Sequence, residues 1–391
     1  MPTQKVITKA GIFTGSDLRS FGGGEKDILG WVDKVNGIEI TIYSLIDDRN
    51  IRLSYDEIRR MLSPRTNIVY YSAYRASFLR DLIPLTSTGL KALWSLRKFD
   101  VIYSMHQGLI INSIILVICK IFGVKYVLGI HSPIFFDEEP ILDTMPRRIL
   151  TKIFSAYRKF LIRRVRFVRI QNKSDEKNLM RSGYTGLVYN IPPHVYDDGV
   201  FDQTISNNRS EFIALFVGRL SIKHKGIDLL EEIVDKVVKN NEAIYFHIVG
   251  SGYEGKPLIE KLATKYQKNL KWKGFLSEEL LNKEYAEASL FVFPSRGENF
   301  GISLAEAQVK GLPAIAFKVM GSEDIITSDI QGTLVHPLDT SAFASAVLKH
   351  YESWSKDPEG YLKRKLKVSM LAISRFNLSG IVERLEVMLG N

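Results

Sequence analysis

One cysteine, Cys119, stands in the 391 residues of this chain, which excludes an internal disulfide framework and suits a reducing compartment. It lies in an apolar run, where a thiol acts as a small buried hydrophobe and not as a nucleophile. His-Glu-x-x-His, clustered Cys/His and Asp-x-Asp near a strand end are all missing, so no metal and no cofactor is expected. The Gly-x-Ser-x-Gly elbow and the phosphate loop ending in Gly-Lys-Ser/Thr are missing too. There is no low-complexity segment or short-period repeat, and the opening Met-Pro-Thr-Gln-Lys-Val-Ile has no apolar core of a secretory signal. The one long apolar run, Leu109 to Ile130, is interrupted by Asn112, Ser113, Lys120, Gly123 and Lys125. A spanning helix needs ~20 apolar residues with few charges, so this run reads as a buried helix followed by a buried strand. The expectation is a cytoplasmic protein.

What is present is an ordinary globular composition, 45% hydrophobic and 25% charged. At ~150 residues per domain the length suggests two or three domains. Short apolar runs alternate with helical patterns. In the first half they are Lys5–Phe13, Ile38–Leu45, Asn67–Tyr74, Val101–Ser104, Tyr126–Ile130 and Phe167–Gln171; in the second, Phe212–Val217, Ile244–Val249, Leu270–Trp272, Leu290–Phe293 and Ala314–Phe317. This alternation predicts an α/β fold with parallel sheets wrapped by helices. The polar stretch Tyr196 to Ser210 breaks the pattern and reads as an exposed linker. Two doubly wound, Rossmann-like halves follow: residues 1–198, a linker over 199–210 and a second domain over 211–374, with one last amphipathic helix over 375–391.

The net charge of +10 is uneven: Arg147 to Arg169 holds nine Lys or Arg and no Asp or Glu. Leu150, Ile153, Phe154, Tyr157 and Leu161 recur at helical spacing on one face, with Arg148, Lys152, Lys159 and Arg163 on another. Two readings stay open, an anionic membrane surface as partner or a solvated helix packed on its own domain. No recognised module accompanies the charge, so nucleic acid is not expected as a partner.

In open α/β sheets ligands bind beyond the carboxyl ends of the strands, and the candidate residues fall there. Gly218-Arg219 follows Phe212–Val217, with Lys225-Gly226 six residues on; an Arg that can grip bidentately and a Lys point charge suit a diphosphate. Gly250-Ser251-Gly252-Tyr253-Glu254-Gly255 matches the dinucleotide fingerprint literally, yet no acid ends the next strand, so the glycines read as a tight turn lining a nucleotide pocket. The stretch Pro294 to Pro313 turns from a buried strand through a polar loop into a helix. It carries Glu298 and Glu306 on either side of Asn299-Phe300-Gly301, where backbone N–H groups can face an anion. In the first half, Gly22-Gly23-Gly24 separates the first strand from a helix beginning near Lys26, and His131 ends the Tyr126–Ile130 strand. His106 stands in a similar place with less around it.

Taken together, Gly218-Arg219…Lys225-Gly226, Gly250-Ser251-Gly252, Gly274-Phe275-Leu276 and Glu298-x7-Glu306 resemble the retaining glycosyltransferases of group 1, with the GT-B fold, over roughly residues 211–335. The resemblance implies two Rossmann-like domains facing across a cleft, the last helix crossing back onto the first. It implies a metal-independent transfer in which Arg219 and Lys225 neutralise the leaving diphosphate and Glu298 binds donor-sugar hydroxyls. Asn299, Phe300 and Gly301 would offer N–H groups, Glu306 would hold the ribose, and backbone near Phe275 and Leu276 would contact the base. Gly22, Gly23, Gly24 and His131 would face the sugar and diphosphate. The partners implied are a UDP- or GDP-linked sugar and a glycan acceptor; the basic helix and the apolar first half point to a lipid or lipid-linked acceptor, at the inner face of the cell membrane. Two departures bear on this: Pro192-Pro193-His194-Val195 stands where the family has a Pro-Asn-Gly turn, and Asn299 replaces a smaller residue. The competing readings are a glycoside hydrolase using Glu298 and Glu306, whose carboxylates must sit roughly 5–9.5 Å apart across the bond, and a membrane- or polyanion-binding scaffold.

Overall fold

The computed structural model describes residues 8–48, 51–76, 81–105, 109–131, 145–195 and 211–390. His106 and the linker over 199–210 lie outside the described residues. The chain divides into two compact units, Met1–His194 with Leu378–Asn391, and Val195–Asn377.

The strands of the first unit are β1 (Thr8–Phe13), β2 (Ile38–Leu45), β3 (Asn67–Tyr71), β4 (Tyr74–Ala76), β5 (Asp81–Ile83), β6 (Val101–Ser104), β7 (Lys125–Gly129), β8 (Phe167–Ile170) and β9 (Leu187–Asn190). Its helices before the crossing are α1 (Gly23–Trp31), α2 (Tyr55–Met61), α3 (Ser87–Ser95), α4 (Leu109–Phe122), α5 (Met145–Ile162) and α6 (Lys173–Arg181). Seven strands form one parallel sheet in the order β3-β2-β1-β6-β7-β8-β9, while β4 and β5 pair as a separate antiparallel ribbon. The order steps outward from β1 in both directions, as a doubly wound sheet does. Its two faces carry separate apolar cores, Phe13, Tyr71, Ile115, Cys119 and Leu161 on one, and Ile12, Ile28, Trp31, Ile42 and Val127 on the other.

The second unit holds β10 (Phe212–Val217), β11 (Ile244–Val249), β12 (Leu270–Gly274), β13 (Leu290–Phe293), β14 (Ala314–Phe317) and β15 (Gly332–Val335), paired in parallel as β12-β11-β10-β13-β14-β15. Its helices are α7 (Ile222–Lys225), α8 (Ile227–Asn240), α9 (Lys256–Lys265), α10 (Glu278–Glu287), α11 (Ile302–Val309), α12 (Ser322–Ile325), α13 (Thr340–Lys356) and α14 (Pro358–Phe376). Both β10 and β13 are buried along their whole length, which is why they read as continuous apolar runs without alternation.

The last helix, α15 (Leu378–Gly390), belongs to the first unit. Its Ile381, Leu385, Met388 and Leu389 recur on one face and complete the core beside Trp31 and Val101. The chain changes unit after Asn377, three residues beyond the expected limit of the second domain. Sequence periodicity missed β4, β5, β9 and β15. Each is only three or four residues long, and β9 and β15 are sheet edges with half-exposed faces, so their apolar signal is short and diluted.

Candidate functional site

Three strand ends of the second unit are laced together by backbone. The Gly218 N–H donates to Val249 O at 3.0 Å, Leu220 N–H to Ser251 O at 3.0 Å, Gly255 N–H to Leu220 O at 3.0 Å, and Gly250 N–H to Gly274 O at 2.7 Å. Such contacts leave no room for side chains. A Cβ on Gly250, whose φ is 138°, would sit 1.8 Å from Gly218 O, and one on Gly252 or Gly255 would sit 2.8 Å from Leu220 O. The Gly-x-Gly-x-x-G match is thus explained by loop-on-loop packing behind the strand ends, and Trp272 Nε1 donates to Gly250 O at 3.0 Å from below. Arg219 projects from this platform; it is exposed, and its side chain has no hydrogen-bond or ion-pair partner among the described residues.

Lys225 ends the single turn α7, capped by Gly226 at a φ of 65°. A Cβ there would meet Pro294 O at 2.1 Å, so glycine lets the loop after β10 close on the loop after β13. Lys225 Nζ then reaches Glu298 Oε1 at 2.5 Å, with both side chains about one-sixth exposed, 16% and 15%. The same carboxylate oxygen accepts from Ser295 Oγ at 3.2 Å, and the ammonium lies 5.1 Å from the centre of the Phe293 ring.

Sequence reasoning missed the bolt holding this pair together. Arg296 donates from Nη1 and Nη2 to the two oxygens of Asp228, each at 2.6 Å, and from Nη1 to Ile222 O at 2.6 Å. Its own N–H donates to His224 O at 2.9 Å. These bonds hold the Asp228 carboxyl below its ordinary range, the Arg296 contact being the largest cause. Nothing local marks Arg296 in advance, because its partners lie 68 and 74 residues away in sequence.

Glu298 sits in the loop before α11 and Glu306 in its second turn. Gly301, at a φ of 93°, occupies the N-cap and has no side chain to accept from the leading N–H groups of the helix. Phe300 is buried edge-on against Phe376, 5.5 Å between ring centres, and Asn299 is half-exposed. Gly321, a second missed residue, has a φ of 84°, and a Cβ on it would lie 2.6 Å from Phe300 O; it lets the loop after β14 brace this turn. Glu306 Oε2 accepts from Tyr285 Oη at 3.0 Å. Tyr285 is 2% exposed, and burial together with the Glu306 charge pushes its phenol well above the ordinary value. It therefore stays a donor and fixes one face of the Glu306 carboxylate. Beyond β12, Phe275 is 65% exposed and Leu276 is half-buried.

In the first unit, α1 starts at Gly23 and not near Lys26, so Gly23 and Gly24 are its first turn and Gly22 its N-cap. Phe21 precedes it in the left-handed region at a φ of 48°. The Glu25 carboxylate folds back to accept from Ser16 Oγ, and a Cβ on Gly22 would lie 2.7 Å from Glu25 Oε2. A carboxylate thus already sits at this helix start. His131, just beyond β7, is held at both ring nitrogens, by Tyr103 Oη at 2.7 Å on Nε2 and by the Gln171 carboxamide at 2.9 Å on Nδ1. Behind it, Arg169 donates to Tyr103 Oη at 3.0 Å, to Asp27 Oδ2 at 3.0 Å and to Ile191 O at 3.1 Å. Asp27 Oδ1 in turn accepts from the His194 N–H at 3.2 Å. The Pro-Pro-His-Val departure is therefore anchored by a buried ion pair, and a Cβ on Gly30 would fall 1.9 Å from the His194 ring.

Burial, with Arg169 adding a like charge, pushes His131 down to about 3; burial does the same to His350, which lies 3.1 Å from Tyr361 Oη. Both are neutral in the fold and must gain a proton on unfolding below their ordinary value of ~6.5. Below that value the unfolded chain binds more protons, so stability rises with pH from about 3 to ~6.5 and is fully present above it. The expected loss is about 1.4 kcal/mol per histidine between pH 7.5 and 5.5. Urea midpoints at the two pH values should show it, with H350Q removing the share of the second unit and H131Q that of the first.

Residues 211–353 match the family "Glycosyl transferases group 1". Over 158 residues the chain is 32% identical to a glycosyltransferase of Methanocaldococcus jannaschii, covering 39% of each protein. It is 25% identical over 280 residues to the alpha-D-kanosaminyltransferase of Streptomyces kanamyceticus, covering 68% of this chain and 70% of that one. The fold is similar to that of Anabaena HepE, solved in complex with UDP, with a TM-score of 0.75, 14% identity, and coverage of 98% and 99%.

Proposed function

We propose that this chain, a group 1 glycosyltransferase of GT-B fold, holds a nucleoside-diphosphate sugar on the laced strand ends of its second domain. From there it passes the sugar, with anomeric configuration retained, to a hydroxyl of a glycan or lipid-linked glycan. The observation that carries this reading is the Lys225–Glu298 pair, brought to 2.5 Å across 73 residues of sequence at the carboxyl ends of the central strands β10 and β13, where the exposed Arg219 also stands. Breaking a sugar–phosphate bond leaves positive charge at the anomeric carbon and negative charge on the departing diphosphate. Fixed cations aimed at that oxygen stabilise the transition state, and Lys225 and Arg219 supply here the charge that a metal ion would otherwise bring. Glu298, already oriented by Lys225 and Ser295, addresses sugar hydroxyls. Glu306, steadied by Tyr285, takes the ribose, the uncapped start of α11 at Asn299, Phe300 and Gly301 offers N–H groups, and backbone at Phe275 and Leu276 meets the base.

The same chemistry narrows the first-domain residues. The Glu25 carboxylate beside Gly22, Gly23 and Gly24 repels phosphate, so this turn suits sugar or acceptor hydroxyls. His131, neutral and held at both nitrogens, orients and does not shuttle protons. UDP in the Anabaena structure supports a uridine donor over a guanosine one. A glycoside hydrolase finds less support, because Glu298 is committed to Lys225 and Glu306 to Tyr285 on different elements.

A thermal-shift panel of UDP, GDP and their sugars tests the reading. At a hundredfold excess over Kd, ligand adds about 2.7 kcal/mol, or about 5–10 °C for a domain of this size. The shift should come from one nucleoside diphosphate, persist in chelator, and vanish in E306A. A panel without any shift, or E306A shifting as fully as the parent, would sink the proposal.

A further inference from the structure

The helices α3, α4 and α5 lie side by side on the first unit, their inner faces sharing one apolar core through Leu93, Ile115 and Leu161. Their outer faces should be polar, yet they carry a belt of exposed apolar and aromatic side chains. Tyr157 of α5 stacks on Phe160, 6.2 Å between centres, and its hydroxyl meets Ser113 of α4 at 2.7 Å. From Ser113 the belt runs along one stripe of α4 at helical spacing through Val117, 54% exposed, to Ile121, 69% exposed. At the end of that helix Phe122 meets the edge of Trp94 of α3, 6.1 Å between centres, and Trp94 is 58% exposed.

Each end of the belt is closed by an arginine over an aromatic face, Arg97 at 3.9 Å from the Trp94 ring centre and Arg164 at 4.1 Å from that of Phe160. Lys120 stands exposed within the stripe of α4. Where α5 ends, a groove of about 520 Å³ is lined by Ala156, Lys159, Phe160, Arg163 and Arg164. Not one Asp or Glu occurs in α3, α4 or α5. Exposed patches of this kind mark a binding face. A protein partner would need its own acidic, apolar surface, whereas an anionic bilayer interface presents phosphates above acyl chains and receives Trp, Tyr and Arg at their boundary. Among the described residues no helix is long and apolar enough to cross a membrane.

We infer that the outer face of α3, α4 and α5 docks on an anionic lipid bilayer, with Trp94, Ile121 and Phe122 entering the headgroup layer and Arg97, Lys120, Arg163 and Arg164 meeting lipid phosphates. This deepens the lipid-linked acceptor reading above and rests on it for its purpose. It also enlarges the basic stretch Arg147–Arg169 into a surface whose apolar centre is α4.

The test is flotation of the full chain with phosphatidylcholine vesicles, with and without 30% phosphatidylglycerol as probe (~30% anionic lipid, on the order of natural anionic leaflets). Binding is expected only with the anionic lipid and should weaken as salt rises. K120A and R164Q should each weaken it about fivefold, the loss of one surface cation. I121D, at a position too exposed to unfold the helix, should weaken it at least about tenfold. The UDP-induced thermal shift should be unchanged in all three variants. Equal binding to neutral vesicles, no binding to either, or I121D binding as tightly as the parent would each overturn the docking face. An intact shift with UDP or GDP beside failed flotation rejects this surface alone, while flotation without a shift from either nucleoside diphosphate rejects the donor-site reading instead.

Discussion

Replacing Lys225 by methionine is expected to lower turnover about 10²–10³-fold, the usual loss when one fixed donor to a developing anion is removed. Methionine keeps the packing against Phe293 and removes only the charge that lies 2.5 Å from Glu298 and 5.1 Å from the Phe293 ring centre. Two roles are then separable. Because Glu298 itself addresses the sugar, the comparison is with E298Q. If Lys225 serves only to neutralise Glu298, then K225M/E298Q should turn over as fast as E298Q alone, because no uncompensated carboxylate remains. If Lys225 stabilises the departing diphosphate, the double variant stays about 10²–10³-fold slower than E298Q. The second outcome is expected, measured as kcat with the donor that the thermal-shift panel identifies, and a double variant as fast as E298Q would reject the assignment. R296M offers a contrast. It leaves both site charges in place but removes the clamp on Asp228 and Ile222, so it should weaken donor binding through lost positioning.

The largest effect on stability is expected at Arg169. This side chain is fully buried and joins Asp27, Tyr103 and the Ile191 carbonyl. R169M would leave Asp27 buried beside His194 alone, and breaking a buried pair in this way costs about 3–5 kcal/mol. Burial by itself would raise the Asp27 pKa, but Arg169 and His194 outweigh it and hold it at about 2. That lowered value means the pair's stabilisation is present above the ordinary carboxylate range and is lost as pH falls from ~4 toward 2. Because the chain has two units, a single unfolding curve would mix them. Trp31 and Trp94 report the first unit once Trp272 and Trp354 are replaced by phenylalanine. The transition of the first unit should move, while that of the second, followed by Trp272 and Trp354 with Trp31 and Trp94 replaced instead, should not. D27N/R169M should recover part of the loss, since the pair is then removed together; equal losses in the single and double variants would mean that Arg169 acts through Tyr103 and Ile191 O only.

The contrast between the two units explains how much was legible beforehand. In the second, β10 and β13 are buried on both faces and the glycines stand at strand ends, so apolar runs and glycine spacing were enough to place the candidate residues at those strand ends. In the first, the chemistry sits in side chains whose partners are remote. Asp27 and Arg169 are 142 residues apart, and an arginine within Phe167-Val168-Arg169-Ile170 reads locally as an interruption of a strand. Gly22 to Gly24 read as a loop before a helix beginning near Lys26, because the start at Gly23 and the fold-back of Glu25 onto Ser16 depend on where β1 ends. Likewise, the basic periodicity of Arg147–Arg169 pointed at one helix, while the apolar partners Trp94 and Ile121 joined it only when three helices came to share one layer.

Sequence alone determined the α/β architecture, the doubly wound halves, the last helix and the residue types at the strand ends, because periodicity and glycine spacing are local properties of the chain. Only the tertiary structure decided which polar groups meet: Lys225 with Glu298, Arg296 with Asp228, Glu306 with Tyr285, and Asp27 with Arg169. Pairing energy depends on distance and burial, and both are set by how the sheets bring together residues tens of positions apart.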